Sequence, residues 1–235
     1  MSLYSEKDAG VPGIRPPLSH DVAEIIRARI LSGELSDGAF VRPDRFASAI
    51  GLSITPVREA MHMLQSAGLL SLVPRRGFVV LPLSEGDVRD LGIVQAQVSG
   101  ELAARAARRM TDDELAALRD WHEETADMLR LGQPLSLRSV VTEFQDPIYA
   151  SARSPKLIWA ATWGSAHTPM DVKITLPSCR QAVIDHHDRA LAALEARDVP
   201  AARQAMLDRE TWLADMLATR ITQLRARRKA TDPAA

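Results

Sequence analysis

The stretch GLSITPVREAMHMLQSAGLL, residues 51–70, constrains the fold more than any other part of the chain. Its apolar residues Val57, Ala60, Met61 and Leu64 recur at helical spacing. At about 100° per residue they share one face, and Thr55, Arg58, His62 and Gln65 gather on the opposite one. Glycines bracket the helix, Gly51 ahead of the expected cap Ser53 and Gly68 after the last turn. A hydroxyl, a guanidinium, an imidazole and an amide on one face can read base edges and phosphates in a major groove. The same groups suit an ordinary solvated helix, so the flanking sequence has to decide.

Upstream, LSHDVAEIIRARILSGEL places Leu18, Val22, Ile25, Ile26 and Ile30 on one apolar stripe that ends at Gly33. The loop ELSDGAFVRP leads to a short helix over DRFASAI, and the tight GLS turn joins it to the first stretch as a helix-turn-helix. Downstream, LLSLV and FVVLP are short β-prone runs separated by PRRG. They predict a two-stranded wing with Arg75 and Arg76 at its tip. Residues 17–82 therefore read as a winged helix.

At 235 residues the chain has room for a second domain. Its 46% apolar and 25% charged residues are ordinary for a water-soluble globular protein, and no run approaches the ~20 apolar residues of a bilayer span. Residues 1–16 have no apolar core behind a basic head, so they read as a flexible leader rather than a secretory signal. A single cysteine, Cys179, excludes an internal disulfide framework and suits a reducing cytoplasm. The net charge is −1, with residues 15–82 at +2, so DNA binding would rest on a few placed cations and a dimer rather than on bulk charge.

Beyond Pro82 the pattern is continuously helical. Ser84 with Asp87, and Thr111 with Glu114, have the spacing of reciprocal helix caps. Further starts near Ser136, Pro155, Ser178 and Asp198 give six helices, approximately 84–109, 112–131, 136–153, 155–169, 178–197 and 199–229. Pro147 should kink the third. The expected fold is mainly α: an N-terminal winged helix-turn-helix, an all-α six-helix bundle over 83–229, and a disordered tail over 230–235.

Residues 18–81 resemble the DNA-binding domain of GntR-superfamily transcription regulators. There the turn and recognition helix read G-V-S-R-x-P-V-R-x-A-L, and this chain has GLSITPVREAM. Ile54 stands where that pattern has an arginine, and Pro43 where a glutamate opens the second helix. The resemblance implies DNA contacts from Ser53, Thr55, Arg58, His62, Arg75, Arg76 and Gly77. Residues 83–225 are similar to the FCD effector domain of the FadR branch, with a helix count like the VanR-type subgroup. The carrying stretches are FQDPIYASARSPKL and HHDRALAALEARDVPAARQAM.

The resemblance further implies a divalent metal held by an aspartate and three histidines. The corresponding positions are Val141, Gln145, His187 and Arg209, of which His187 alone is a ligand type. Such a set cannot hold zinc, so the expectation is no metal and no cofactor. Arg209 at that position could bind a carboxylate effector directly, with Gln97, Gln145 and His187 as hydrogen-bonding partners. Alternatively it pairs with Glu101 and fills the space. The expected partners are a palindromic double-stranded operator, a small-molecule effector (an organic acid or other small anion) and a second copy of the chain, with no membrane.

Two rival readings have their own marks. A helical-bundle hydrolase would use the DHHD run or Cys179, but His20, His62, His122 and His167 show no spacing that supplies further ligands or a base. A ligand-insensitive DNA-binding structural protein would keep the winged helix and pack its bundle fully.

Overall fold

The computed structural model describes residues 18–31, 33–166, 170 and 173–231. Of these, residues 89–217 form one compact unit, and residues 18–88 with 218–231 form another. The leader expected over residues 1–16 lies outside the described residues, as does His167.

The N-terminal part runs α1 (Leu18–Leu31), β1 (Phe40–Val41), α2 (Pro43–Ile50), α3 (Ile54–Ser66), β2 (Leu70–Val73) and β3 (Gly77–Val80). Its core joins Val22, Ile26 and Ile30 of α1 to Val57, Ala60, Met61 and Leu64 of α3, closed by Phe46, Leu70, Phe78 and Val80. The apolar stripe of α1 is narrower than expected, because Leu18 and Ile25 are exposed. Pro43 occupies the first turn of α2, where no intrahelical partner for its missing N–H is needed. Gly51 ends α2 in the left-handed region at φ 71°.

The wing is a three-stranded antiparallel sheet in the order β1-β3-β2, not the two-stranded ribbon expected. Leu70 pairs with Val80 and Val73 with Gly77, while Phe40 and Val41 of β1 pair with Val79 and Phe78. Two residues are too few to show a strand period, and β1 is defined by pairing with a distant segment. Gly77 has φ 101°, and a side chain there would place Cβ 2.8 Å from the Val41 carbonyl oxygen. The glycine is thus required by the close approach of β1.

The second part comprises α4 (Glu85–Ala106), α5 (Asp112–Arg130), α6 (Leu137–Ala152), α7 (Pro155–Ala166), α8 (Pro177–Glu195) and α9 (Val199–Thr231), matching the expected six helices in order and approximate extent. Thr111 and Glu114 cap α5 reciprocally, and Ser84 and Asp87 exchange the same hydrogen bonds ahead of α4. Ser136 Oγ accepts from the Ser139 N–H, and Asp198 Oδ1 from that of Ala201. Three boundaries differ from expectation: α4 ends at Ala106 rather than near residue 109, and two lie in the last helices. Helix α8 begins at Pro177 with Leu176 in the cap position, and α9 remains helical through Thr231, so residues 230 and 231 are not a disordered tail. Helix α6 is unbroken through Pro147. Leu102, Leu118, Phe144, Ile148, Leu194 and Met206 lie at the centre of the bundle core. Among the described residues, no helix is long and apolar enough to cross a membrane.

Candidate nucleic-acid interface and buried polar site

On α3 the two faces separate as the periodicity predicts. Val57, Ala60, Met61 and Leu64 are fully buried, and Thr55, Arg58, His62 and Gln65 are exposed. Arg58 has no hydrogen-bonding or ionic partner among the described residues, which leaves its five N–H donors available to a base or phosphate. Ser53 holds the N-cap position, yet its side chain makes no cap hydrogen bond. Its hydroxyl and the first N–H groups of α3 form a small electropositive terminus suited to a phosphate.

His62 is less free than Arg58. Its Nδ1 lies 3.1 Å from Gln65 Oε1, and its ring meets Phe78 of β3 edge-on at 5.2 Å. The later turns of α3 are thereby tied to the wing. At the wing tip Arg75 adopts a left-handed φ of 64°, and the Arg76 guanidinium lies 4.2 Å from the centre of the Phe40 ring. This cation–π contact with β1 fixes the orientation of the Arg76 guanidinium. Gly77 shapes the backbone between these arginines and the sheet.

One feature here gave no sequence signal. Arg42 grips Asp44 with two hydrogen bonds, Nε to Oδ1 at 3.1 Å and Nη2 to Oδ2 at 2.7 Å. The guanidinium holds the Asp44 carboxyl below its usual range. Arg42 is thus partly neutralised at the start of α2, whereas the neighbouring Arg45 is exposed with no partner among the described residues.

Within the helical unit, Val141, Gln145, His187 and Arg209 are all buried. Arg209 Nη2 donates to the Val141 carbonyl at 3.1 Å, and its guanidinium lies 5.5 Å from the centre of the Phe144 ring. Phe144 in turn stacks on His187, with ring centres 3.7 Å apart and planes within 4°. Ser99, Tyr149 and Gln145 form a buried hydrogen-bonded row, Ser99 Oγ to Tyr149 Oη at 2.6 Å and Tyr149 to Gln145 Oε1 at 3.4 Å. This set does not fit a divalent metal. It offers one imidazole and one amide oxygen, with a guanidinium among them whose charge opposes a cation. No group of three or more histidine, cysteine, aspartate or glutamate side chains placed to hold a metal occurs among the described residues.

The partner of Arg209 is Glu210, not Glu101. Arg209 Nη1 donates to Glu210 Oε1 at 2.6 Å with both side chains buried. Burial raises the Glu210 carboxyl above its ordinary range, opposed by the adjacent guanidinium. Glu101 bonds instead to Arg105 at 2.7 Å and to Arg203. Gln97, expected beside Arg209, is exposed, and Gln95 is the buried glutamine of α4, its Nε2 donating to the Ala161 carbonyl of α7 at 2.8 Å. Of the residues expected around Arg209, Gln97 and Glu101 therefore do not belong to the buried set.

His186 and His187 are held neutral. Burial, reinforced by the charge of Arg209, pushes His187 well below its ordinary value. Burial, reinforced by Arg189 and then Arg209, takes His186 down to about 4. His122 is also buried: its Nε2 lies 2.6 Å from Asp188 Oδ1, and its Nδ1 has no hydrogen-bond partner among the described residues. It lines a cleft of about 250 Å³ between α5 and α8, together with Glu123, Arg119 and Glu195. The arginine in that group is already engaged, Arg119 Nη2 donating to Glu195 Oε1 at 2.6 Å.

Comparison with known proteins gives this arrangement a context. Residues 18–80 match the family described as bacterial regulatory proteins, gntR family, and residues 94–209 match the FCD domain. The chain is 25% identical over 197 residues to the HTH-type transcriptional regulator McbR of Escherichia coli strain K12, covering 81% of this chain and 88% of that protein. It is 26% identical over 195 residues to a probable D-xylose utilization operon transcriptional repressor of Paenarthrobacter nicotinovorans, covering 82% and 85%. The solved structure of Escherichia coli McbR has the same fold, with a TM-score of 0.58 at 23% identity, covering 91% of this chain and 99% of that one. These relatives are transcription regulators rather than enzymes. The chain belongs to the GntR family of bacterial transcription regulators, with a winged-helix DNA-binding domain followed by an FCD domain.

Proposed function

We propose that the protein is a cytoplasmic, homodimeric regulator that binds a short palindromic operator through α3 and the wing, under the control of a small molecule in the helical bundle. The observation that carries the DNA-binding part is the face of α3, where Thr55 and the unpartnered Arg58 stand exposed beside a wing tip bearing Arg75 and Arg76. Ser53, Thr55, Arg58, Arg75 and Arg76 supply the contacts, and His62 adds one through its orientation by Phe78 and Gln65. Two copies related by a twofold axis would place two such faces on two half-sites, compensating for the low net charge. An apolar surface for the subunit contact is available. Ile93 and Val94 of α4, and Trp159 and Trp163 of α7, are exposed on helices joined by the Gln95–Ala161 bond.

The effector proposal changes with the structure. With Arg209 neutralised by Glu210, the buried polar set around it offers no uncompensated cation to capture an organic acid among the described residues. A ligand of no net charge, hydrogen-bonding to Gln145 or the His187 edge, suits this interior better, and no metal is needed to hold it. The ligand-insensitive reading keeps one specific support: the polar groups of Ser99, Tyr149, Arg209 and Glu210 already satisfy one another.

The test selects duplexes from a random pool with purified full-length protein, then titrates the recovered operator. Sequence-specific binding by a dimer, released by a small neutral compound that also raises the melting temperature, is the expected result. Binding that no compound alters or stabilises would favour the ligand-insensitive reading.

A further inference from the structure

The exposed face of α3 carries one residue that neither its core nor its polar contacts explain. Ile54 is the first residue of the helix and is 40% exposed, although it is a large apolar side chain. At about 100° per residue it lies within some 40° of Arg58, one turn further along, and about 60° from Val57, at the border between the exposed and buried faces. It is not part of the domain core, and it stands beside the exposed arginine at the end of the helix that enters a groove first.

An isoleucine there has no hydrogen bond to offer a base or a phosphate. What its δ and γ carbons can do is cover an apolar group on a base edge. In the major groove of unmodified B-DNA the one such group is the C5 methyl of thymine. We propose that Ile54 is a specificity-determining residue that reads the 5-methyl group of a thymine in each operator half-site, next to the base or phosphate held by Arg58. This rests on the proposed operator binding by α3 and specifies part of what α3 reads.

Three features favour this role over an incidental exposed isoleucine. Ser53, immediately before it, leaves its hydroxyl uncommitted at the helix terminus, so a phosphate held there would set the depth of the first turn. The branched side chain is stiff at χ1, so ordering it on a base costs little rotamer entropy. Thr55, the adjacent exposed residue, brings a further methyl and a hydroxyl to the same turn, so the start of α3 is suited to an A·T-containing step.

The experiment replaces each thymine of the selected operator by uracil, one position at a time, which removes the methyl group and leaves every hydrogen bond in place. Full-length wild type, Ile54→Ala and Ile54→Val are titrated against each duplex. Burial of one methyl group in each of two half-sites predicts that uracil at one symmetric pair of positions weakens wild-type binding roughly tenfold or somewhat more. Ile54→Ala should bind thymine and uracil operators equally, and Ile54→Val should keep most of the discrimination. Circular dichroism and melting curves check that the variants fold. Specific wild-type binding with no position sensitive to uracil, or discrimination that survives in Ile54→Ala, overturns the proposal while leaving operator binding by α3 intact. Failure of the wild type to select any sequence overturns the DNA-binding reading and this inference with it.

Discussion

Arg209 and Glu210 are neighbours in sequence and form an ion pair of 2.6 Å inside the helical bundle, with 2% and 7% of their side chains exposed. Removing one partner leaves the other charged and buried, which typically costs about 3–5 kcal/mol, while replacing both by apolar residues is near neutral. Arg209→Met should therefore lower stability by about that amount, and Arg209→Met combined with Glu210→Leu should recover most of it. Urea denaturation of the three proteins decides this. A single variant as stable as wild type would show that the pair does not neutralise Arg209.

The same pair predicts how anions behave. Organic acids should leave the melting temperature of wild type nearly unchanged, because Arg209 has no charge to spare. In Glu210→Gln the guanidinium loses its counter-ion, and small carboxylates or sulfate should then stabilise the protein. Saturation at about 100 times the dissociation constant would add about 2.7 kcal/mol. Equal stabilisation of both proteins would return the anionic effector to consideration.

Purified untagged protein should carry no stoichiometric zinc, nickel or manganese in the bundle, since Val141 has no donor and Arg209 repels a cation. Elemental analysis after mild dialysis measures this directly. About one metal per chain would mean that other ligands, such as Asp146 with His186, form a site.

The bundle should weaken in mild acid. His186 and His187 are held below their ordinary value when folded, so the unfolded chain takes up their protons first. Their contribution to stability is complete above pH ~6.5 and is lost progressively as pH falls from there toward about 4, the value for His186. Each pH unit across that window removes up to ~1.4 kcal/mol per fully shifted histidine. Urea midpoints of wild type and of His187→Phe at pH 7.5 and 5.5 test the sign. The variant should lose less stability on acidification.

Arg58→Ala should weaken operator binding by about 1–3 kcal/mol if Arg58 holds a guanine bidentately. Because the side chain is exposed and unpartnered, folding should be unaffected. Unchanged affinity in a folded variant would remove α3 from the recognition role.

Long periodic elements with local end signals were legible in the sequence. Thr111 and Glu114 announced the start of α5 because both halves of that cap lie within four residues. Strand β1 was not legible, since Phe40 and Val41 become a strand only by pairing with β3. In α4, IVQAQVSG contains two glutamines two residues apart, and the partner helix α7 decides which is buried. The Arg209–Glu210 bond was missed for a different reason. Consecutive helical residues diverge by about 100°, which argues against contact, yet an arginine side chain is long enough to bend back to its neighbour.

The unused hydroxyl of Ser53 gives the free protein an unfinished helix start. A side-chain cap at such a position is typically worth ~1 kcal/mol, so α3 forgoes that stability while unbound and can regain it from a phosphate oxygen. An engineer seeking a more heat-resistant regulator would be drawn to Ser53→Asp, which supplies the missing acceptor and suits the helix dipole. The same carboxylate would then meet the DNA backbone with like charge. Under the proposed phosphate contact, thermal endurance and operator affinity are coupled through this one side chain, and raising the first is expected to lower the second.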